Sequence, residues 1–378
     1  MRKLKSEGGS SRAHGIKVPY SGSSEFSLKL TGGSIVNATT KLAVGVDVAK
    51  QVFQVHFVDQ ETGEVINKQI KRAKFLEFFA NRAPCLIGME ACGGSQHWAR
   101  QLIAMGHEVK MMAGKQVKAF VSGNKNDMAD ARAIWVAVQQ RAIRAVSIKS
   151  ETQQAVLAMH RMREQLVKFR TGQINNLRGV MGEFGEVMAV GRKALNEGMP
   201  GALARLAERL PEAVIETFRD QWNSVARLDE QVQQIERRLM AWLRLDAASK
   251  AISAIPGVGL LTATAAVATM GDPKAFRSGR EFAAWLGMVP AQVGTGGKVK
   301  LLGISKRGDT YLRTLLIHGA RAVYYSTKEP GKWMEEMVKR RPPNVIIVAL
   351  ANKMARTIWA MLAHDRAYEQ HYESQPAR

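Results

Sequence analysis

The order of short apolar segments between residues 41 and 112 constrains the fold of this chain more than any other feature. Apolar residues fill or alternate along five of these segments, as they do in the strands of a partly buried sheet. We predict strands over residues 41–48, 52–58, 64–70, 85–89 and 108–112, with short helices over 75–81 and 96–105. A β-hairpin meander followed by a βαβ unit is the order of an RNase H-like (RuvC-like) α/β domain.

Two carboxylates interrupt the apolar strands of this domain. Asp47 lies inside the first strand and Glu90 closes the fourth, and a charge buried in a strand is costly unless something binds it. Asp127 and Asp130 lie three residues apart at the start of a predicted helix, so their side chains share one helix face. Four oxygen donors without a His or Cys cluster suit a hard divalent cation, Mg²⁺ or Mn²⁺. Taken singly, Asp127 also fits a helix N-cap, and Asp47 a turn or edge-strand residue.

The pattern changes to helix from about residue 150. Apolar residues there recur at spacings of seven, three and four, at Phe218, Val225, Leu228, Val232, Ile235, Leu239 and Trp242. This periodicity predicts central coiled-coil helices, although a long helix packed within the same chain gives the same pattern. We expect residues 1–40 to be disordered or an extension, 41–148 to form the RNase H-like domain, and 149–249 the helical region. Residues 250–365 then form a mainly helical C-terminal domain, and 366–378 a tail.

The charge balance indicates an anionic partner, because 55 Lys and Arg outnumber 33 Asp and Glu and give a formal net charge of +22. Nucleic acid is the commonest partner of such a chain. The longest apolar stretch, residues 255–270, is too short and too broken by Pro and Gly to span a bilayer. Cys85 and Cys92 alone make neither a zinc site nor a disulfide framework, and we interpret both as plain buried thiols. We therefore expect a cytoplasmic protein with no membrane partner.

The segment Ile-Pro-Gly-Val-Gly at residues 255–259 precedes a predicted helix. It resembles the hairpin of helix-hairpin-helix modules, in which Gly257 and Gly259 would let backbone N–H groups approach a phosphate. A Pro-Gly turn between two core helices explains the same residues, so both interpretations stay open.

The acidic motifs resemble those of a known family. Gly-Val-Asp-Val-Ala-Lys at 45–50, a strand ending in Glu90, and Lys-Asn-Asp-Met-Ala-Asp-Ala-Arg at 125–132 are similar to the motifs of the DEDD transposases of the IS110 family, IS1111 group. The block from Trp285 to Arg313, with Leu-Gly-Ile-Ser-Lys-Arg-Gly-Asp at 302–309, resembles the C-terminal transposase domain of the same family. The resemblance extends from about residue 42 to residue 361.

This resemblance implies a DNA transposase that excises and inserts an insertion sequence. It implies that Asp47, Glu90, Asp127 and Asp130 form a catalytic tetrad that binds Mg²⁺ (or Mn²⁺). The implied partners are the DNA of the element ends and of the target, a structured non-coding guide RNA, and further copies of the chain, as homodimers that assemble into tetramers with shared sites.

One position departs from the family's pattern. Members use a Ser hydroxyl just before a Gly as the nucleophile that joins protein to DNA, whereas residues 293–297 here are Val-Gly-Thr-Gly-Gly. Thr295 is the first candidate, although its methyl group crowds the oxygen and restricts χ1. If the loop aligns so that Gly294 fills the Ser position, Ser305 is the remaining hydroxyl, and it also fits an N-cap or a phosphate contact.

The same block supplies a predicted phosphate track, with a solvated basic face as the alternative. Its residues are Gly296, Gly297, Lys298, Lys300, Lys306, Arg307, Arg313 and Arg321. Two other functions stay open at this point. One is a Holliday-junction-type endonuclease that hydrolyses with water, and the other is a transposase-derived nucleic-acid-binding protein without activity.

Overall fold

A computed structural model describes residues 41–123 and 126–370 of the chain. The expectation for residues 1–40 and most of the predicted tail therefore lie outside the described residues, as does Lys125 of the third acidic motif. All of the described residues belong to one compact unit that begins at Lys41.

A mixed five-stranded sheet forms the first part of this unit. Its strands are β1 (Ala43–Asp47), β2 (Val52–Val58), β3 (Val65–Lys71), β4 (Leu86–Glu90) and β5 (Glu108–Met112), and its helices are α1 (Phe75–Ala80), α2 (Ser95–Ala104), α3 (Gly114–Val117) and α4 (Asp127–Val138). The strand order is β3-β2-β1-β4-β5, with β1 antiparallel to β2 and parallel to β4. The predicted α/β sheet is confirmed, and each of its strands lies within two residues of the predicted bounds.

The two faces of this sheet carry different helices. On one face Phe53 of β2 contacts Phe75 edge-on, with ring centroids 4.5 Å apart, in a buried aromatic cluster against α1 and α2. The alternate residues of β2 face α4, where the ring of His56 lies 5.3 Å from that of Trp135. This alternation leaves β2 with buried polar side chains on the α4 face only.

Two glycines let α4 lie close to the sheet. Gly45 of β1 and Gly88 of β4 are paired in register. A Cβ on Gly45 would collide with the carbonyl of Ala131 in α4, and one on Gly88 would lie 2.7 Å from Cβ of Val138. The absence of a side chain at both positions therefore sets the distance between α4 and the carboxyl ends of β1 and β4.

Two long helices form the centre of the chain. These are α5 (Glu151–Glu183) and α7 (Glu212–Leu245), joined through α6 (Arg192–Ala207). They run antiparallel, because Arg163 pairs with Glu236 at 2.6 Å and Arg170 pairs with Asp229, also at 2.6 Å. The apolar positions of α7 are buried against α5 and α6 of the same chain, so the periodicity is that of a long helix packed within the chain. An additional seam between copies stays a prediction.

The C-terminal part is mainly helical, as predicted. Its elements are α8 (Ala247–Ile252), α9 (Leu260–Met270), α10 (Gly279–Trp285), β6 (Pro290–Thr295), β7 (Lys298–Ile304), α11 (Thr310–Ser326), α12 (Lys332–Val338) and α13 (Pro343–His364). By length and composition α13 is apolar enough to cross a membrane. However, Ala351, Ala355 and Ile358 are fully buried in the core of this part, and α13 is its central packing helix. Polar residues divide the apolar runs of α13, so this helix is less conspicuous in the sequence than residues 255–270.

Candidate active site

The four predicted acidic residues lie around one edge of the sheet. Asp47 is the last residue of β1 and Glu90 the last residue of β4, and these parallel neighbours end at the same edge. Asp127 and Asp130 lie in the first turn of α4, which passes over β1 at Gly45. The structure therefore brings the four residues into one region, which we call the acidic group.

The N-cap of α4 is not one of these acids. The side chain of Asn126 accepts a hydrogen bond from the backbone N–H of Ala129 at 2.8 Å and so caps the helix. The alternative interpretation of Asp127 as the cap is wrong, and its carboxyl is not used for that purpose. Both Asp127 and Asp130 instead place negative charge at the positive end of the helix dipole.

The carboxyl of Asp47 is partly buried and lies within the electrostatic reach of the other three carboxyls. The pKa of Asp47 is raised to about 6, first by burial and then by repulsion from Asp130, Asp127 and Glu90. The backbone N–H of Val48 offsets only part of this rise. Among the ion pairs of the described residues, none involves any of the four carboxyls. The acidic group is thus a concentration of negative charge that a cation would relieve.

The donor chemistry of the acidic group fits a hard divalent cation, since all four donors are carboxylate oxygens. Within the described ranges, however, no three His, Cys, Asp or Glu side chains converge closely enough to hold a metal ion. The side chain of Glu90 lies against the backbone at Gly114, where an added Cβ would come within 2.5 Å of Oε1. Binding an ion between these residues would therefore require their side chains to rotate toward a common point.

Sequence reasoning missed a polar network beside the acidic group. The amide of Gln54 donates to Oδ1 of Asn67, and Nδ2 of Asn67 lies 3.2 Å from Nδ1 of His56. The same Asn67 nitrogen donates to the carbonyl of Met128 at 3.5 Å, which connects β3 to the first turn of α4. The sequence does contain a sign of this network, because Gln54 and His56 are the two polar residues of an otherwise apolar strand.

The two cysteines differ in their surroundings. Cys85 is buried, as predicted, but Cys92 is only partly buried and lies beside the acidic group. Burial raises the pKa of the Cys92 thiol, and the nearby carboxyls of Glu90 and Asp47 raise it further. The thiol form is therefore favoured next to this negative charge.

Thr295 lies at the end of an exposed β-hairpin that the sequence analysis did not predict. Strands β6 and β7 pair antiparallel, and Gly296 and Gly297 form the two-residue turn with φ of 57° and 80°. Two successive positive φ angles are typical of the turns that join such strands, and glycine adopts them without strain. Thr295 pairs with Lys298, and Val293 pairs with Lys300.

Cross-strand partners project to the same face of a hairpin. The hydroxyl of Thr295 therefore shares one exposed face with Lys298 and Lys300. A hydroxyl with two cations beside it suits the approach of a phosphate group.

Ser305 lies at the other end of this hairpin. Its backbone N–H donates to the carbonyl of Val289 at 2.8 Å, and its side chain is partly buried. It is not a helix cap, because Asp309 caps α11 by accepting from the N–H of Leu312 at 2.8 Å. Lys306 and Arg307, the next two residues, are exposed.

Arg313 does not belong to this exposed basic face. Only 7% of the residue is exposed, and its guanidinium donates to the carbonyls of Leu286 at 2.8 Å and Arg307 at 3.0 Å. Its charge is used to hold the loop before α11, so we remove it from the predicted phosphate track. Arg321 of α11 is exposed, as expected.

The glycines of residues 255–259 form the turn between α8 and α9. Gly257 has a φ of 83°, and an added Cβ would lie 2.7 Å from the carbonyl oxygen of Gly319 in α11. Close packing of core helices therefore explains Gly257. Gly259 is the N-cap of α9 and is exposed, and its contact with phosphate stays a prediction.

Within residues 41–123 and 126–370, no hydrogen bond or ion pair joins the acidic group to the β6–β7 hairpin. The links between the sheet domain and the C-terminal part lie elsewhere, as in the ion pair of Arg144 with Glu281. Among the described residues, no hydrogen bond or ion pair therefore links the two sets of predicted catalytic residues directly.

Comparisons with known proteins show which family the chain resembles. A model described as "Transposase IS116/IS110/IS902 family" matches residues 249–335, and a "Transposase" model for the DEDD domain of IS110 elements matches residues 44–185. A "Probable family 20 transposase" of Pseudomonas aeruginosa is 45% identical over 86% of this chain and 98% of its own length. The "Transposase for insertion sequence element IS1111A" of Coxiella burnetii is 39% identical over 86% and 90%. That for IS1328 of Yersinia enterocolitica is 34% identical over 86% and 98%.

Proposed function

Because the chain belongs to the IS116/IS110/IS902 family of transposases, we propose that it excises and inserts an insertion sequence by metal-dependent cleavage and exchange of DNA strands. The observation that carries this proposal is the placement of the four carboxyls: Asp47 and Glu90 end two parallel neighbouring strands at one edge of the sheet, and the first turn of α4 brings Asp127 and Asp130 to that edge. Negative charge gathered at a sheet edge, with no ion pair to any of these carboxyls among the described residues, suits a site that binds a cation.

In this proposal Asp47, Glu90, Asp127 and Asp130 hold Mg²⁺ or Mn²⁺. When bound, the ion supplies Lewis-acid polarisation of the scissile phosphate. The carboxylates would hold the ion in place, and Lys298 and Lys300 would attract the DNA backbone toward Thr295.

The strand cleavage itself is a transfer of a phosphoryl group to the protein. The Thr295 oxygen forms a bond to phosphorus and loses its proton to a nearby base, while the bond from phosphorus to a deoxyribose oxygen breaks and that oxygen takes up a proton. The reverse reaction with a different DNA end rejoins the strands. One ester is formed for each ester broken, so no nucleotide cofactor is needed.

The lack of a hydrogen bond or ion pair between the acidic group and the hairpin, among the described residues, is consistent with a shared site. Either the hairpin moves, or a second copy of the chain brings its Thr295 to the acidic group of the first. We propose the second arrangement, with homodimers assembling into tetramers. The excess of Lys and Arg, with a net charge of +22, is consistent with a structured guide RNA as well as DNA at this site.

The proposal is tested by searching for protein joined covalently to DNA. The full chain is incubated with Mg²⁺, DNA of the element ends and the RNA transcribed beside the element, and the products are separated under denaturing conditions. We expect a protein–DNA adduct whose attachment maps to Thr295 by mass spectrometry.

Variants separate the candidate nucleophiles. Thr295→Val keeps the shape and removes the hydroxyl, so the adduct should disappear, whereas Thr295→Ser should retain it. Thr171→Val, on the exposed surface of α5, is the matched control and should change nothing. An adduct at Ser305 would reassign the nucleophile, and cleavage without an adduct in Thr295→Val and Ser305→Ala would favour hydrolysis by water.

A further inference from the structure

One buried oxygen beside the acidic group has no partner. Gln54 lies on β2 directly across from Asp47, and only 3% of the residue is exposed. Cross-strand partners project to the same face, and α4 covers this face at Gly45. Gln54 therefore occupies the same layer between sheet and helix as the carboxyl of Asp47.

The hydrogen-bond network determines which way the Gln54 amide is turned. The carbonyl of Met128 can only accept, so the Asn67 atom 3.5 Å away is its Nδ2 donor. The other Asn67 atom, Oδ1, is then an acceptor, and the Gln54 atom that contacts it must be the Nε2 donor. Oε1 of Gln54 is directed away from Asn67 and, among the described residues, has no hydrogen-bond partner.

The neighbouring His56 agrees with this assignment. Nδ1 of His56 lies 3.2 Å from Nδ2 of Asn67 and accepts from it in the tautomer whose proton is on Nε2. In that tautomer, both partners of the Asn67 nitrogen are acceptors. Reversing the Asn67 amide would place its oxygen against the carbonyl oxygen of Met128, which is unfavourable for two acceptors.

A buried amide oxygen without a hydrogen-bond partner is unfavourable, so a donor or a cation is expected to bind it. We propose that Oε1 of Gln54 belongs to the oxygen ligand set of the divalent cation held beside Asp47. Amide oxygens are ordinary ligands of hard cations. This inference rests on the proposed metal-dependent function.

A neutral donor also has a physical advantage at this position. Four carboxyls already lie around this edge of the sheet, and a fifth carboxylate would increase the repulsion among them. Gln54 adds an oxygen without adding charge. Its Nε2 donates to Asn67, and Asn67 in turn donates to the carbonyl of Met128 in the first turn of α4. These two hydrogen bonds fix the orientation of the Gln54 amide and therefore the position of its oxygen.

Direct titration of the full chain with Mn²⁺, by calorimetry or by the electron paramagnetic resonance of free Mn²⁺, tests the assignment. Gln54→Met preserves length and burial but has no oxygen, and it should weaken Mn²⁺ affinity about 10- to 100-fold. Gln69→Met is the matched control, because Gln69 pairs with Gln54 on β3 but is exposed. Its Mn²⁺ affinity should equal that of the wild type.

The outcomes separate this inference from the function on which it rests. Asp47→Asn should abolish Mn²⁺ binding, and a wild-type chain that binds no Mn²⁺ would overturn both proposals. If the wild type binds Mn²⁺ and Asp47→Asn does not, while Gln54→Met binds within twofold of the wild type, only the assignment of Gln54 is overturned.

A second variant covers the case in which Gln54→Met does not fold. Gln54→Glu adds a carboxylate that the cation would neutralise, so Mn²⁺ should raise the melting temperature of this variant more than that of the wild type. An equal rise in both proteins would overturn the assignment.

Discussion

Replacing Gly45 with Ala tests whether the close approach of α4 to the sheet positions the acidic group. An added Cβ would collide with the Ala131 carbonyl and would lie 2.5 Å from the backbone nitrogen of Trp135. Backbone atoms cannot rotate away, so α4 must move by roughly 1 Å to reach an ordinary contact of about 3.5 Å. Overpacking of this kind costs about 1–3 kcal/mol. The more restricted unfolded chain of the Ala variant offsets about 0.4–1 kcal/mol of that cost.

We therefore expect Gly45→Ala to lower the free energy of unfolding by about 1–2 kcal/mol. Gly88→Ala should cost less, because its added Cβ would contact side-chain atoms of Val138 and Ile134 rather than backbone. Gly93→Ala is the control, since no heavy atom lies within 4 Å of its added Cβ. A displacement of the two α4 carboxyls by about 1 Å should also reduce DNA cleavage by roughly 100-fold in Gly45→Ala.

The free energies come from urea unfolding, compared at equal m-values so that the midpoints report stability alone. Cleavage is measured on the same preparations at a temperature where each variant is folded. The reasoning is refuted if Gly45→Ala is as stable as Gly93→Ala. It is also refuted if Gly45→Ala loses stability yet cleaves DNA at the wild-type rate, because α4 would then not set the position of the acidic group.

Three further predictions concern charge. The folded pKa of Asp47, about 6, lies above its ordinary value of 3.8, so the folded chain binds more protons between these values and loses stability as pH rises through them. Solvent screens this partly buried carboxyl, so the expected loss in the free energy of unfolding is about 1 kcal/mol, measured by urea unfolding without metal. If Asp47→Asn showed the same pH dependence as the wild type, this prediction would be contradicted. Among the basic residues, Lys306→Ala and Arg307→Ala should weaken DNA binding and reduce its salt dependence by about one counterion each. Arg313→Gln should instead lower the melting temperature, and a reduced salt dependence at unchanged stability would return Arg313 to the phosphate track.

The sheet and the acidic group could be predicted from the sequence because both produce local patterns in it: apolar periodicity in the strands and acidic residues at the ends of apolar runs. The alternation of residues along β2 indicates a strand whose two faces pack against different helices. Asp47 is conspicuous because it is a charged residue at the end of an apolar run. The order of the strands then brings β1 and β4 together at one edge. These inferences need only periodicity and the rules that connect neighbouring strands.

The β6–β7 hairpin could not be predicted in the same way. It lies at the surface, with Val293 at 50% and Val299 at 59% exposure, so no buried face imposes an alternating pattern. Arg313 shows the opposite difficulty, because a buried arginine and an exposed one have the same sequence signature. Which carbonyls its guanidinium reaches depends on how α11 packs against the loop before it, and that is settled only by tertiary structure.

The antiparallel arrangement of α5 and α7 has a consequence for how the molecule is divided. Helix α5 contains 33 residues and so extends for about 50 Å. Helix α5 starts directly after the sheet domain, and α7 ends directly before α8 of the C-terminal part. The start of α5 and the end of α7 therefore lie at the same end of the helical hairpin, next to both domains. Insertions or deletions around α6, at the far end, would lengthen or shorten a projecting arm while the spacing of the two domains stayed the same. A binding site for an additional partner could thus be gained or lost at that distal tip without altering the acidic group or the C-terminal part at the other end of the hairpin.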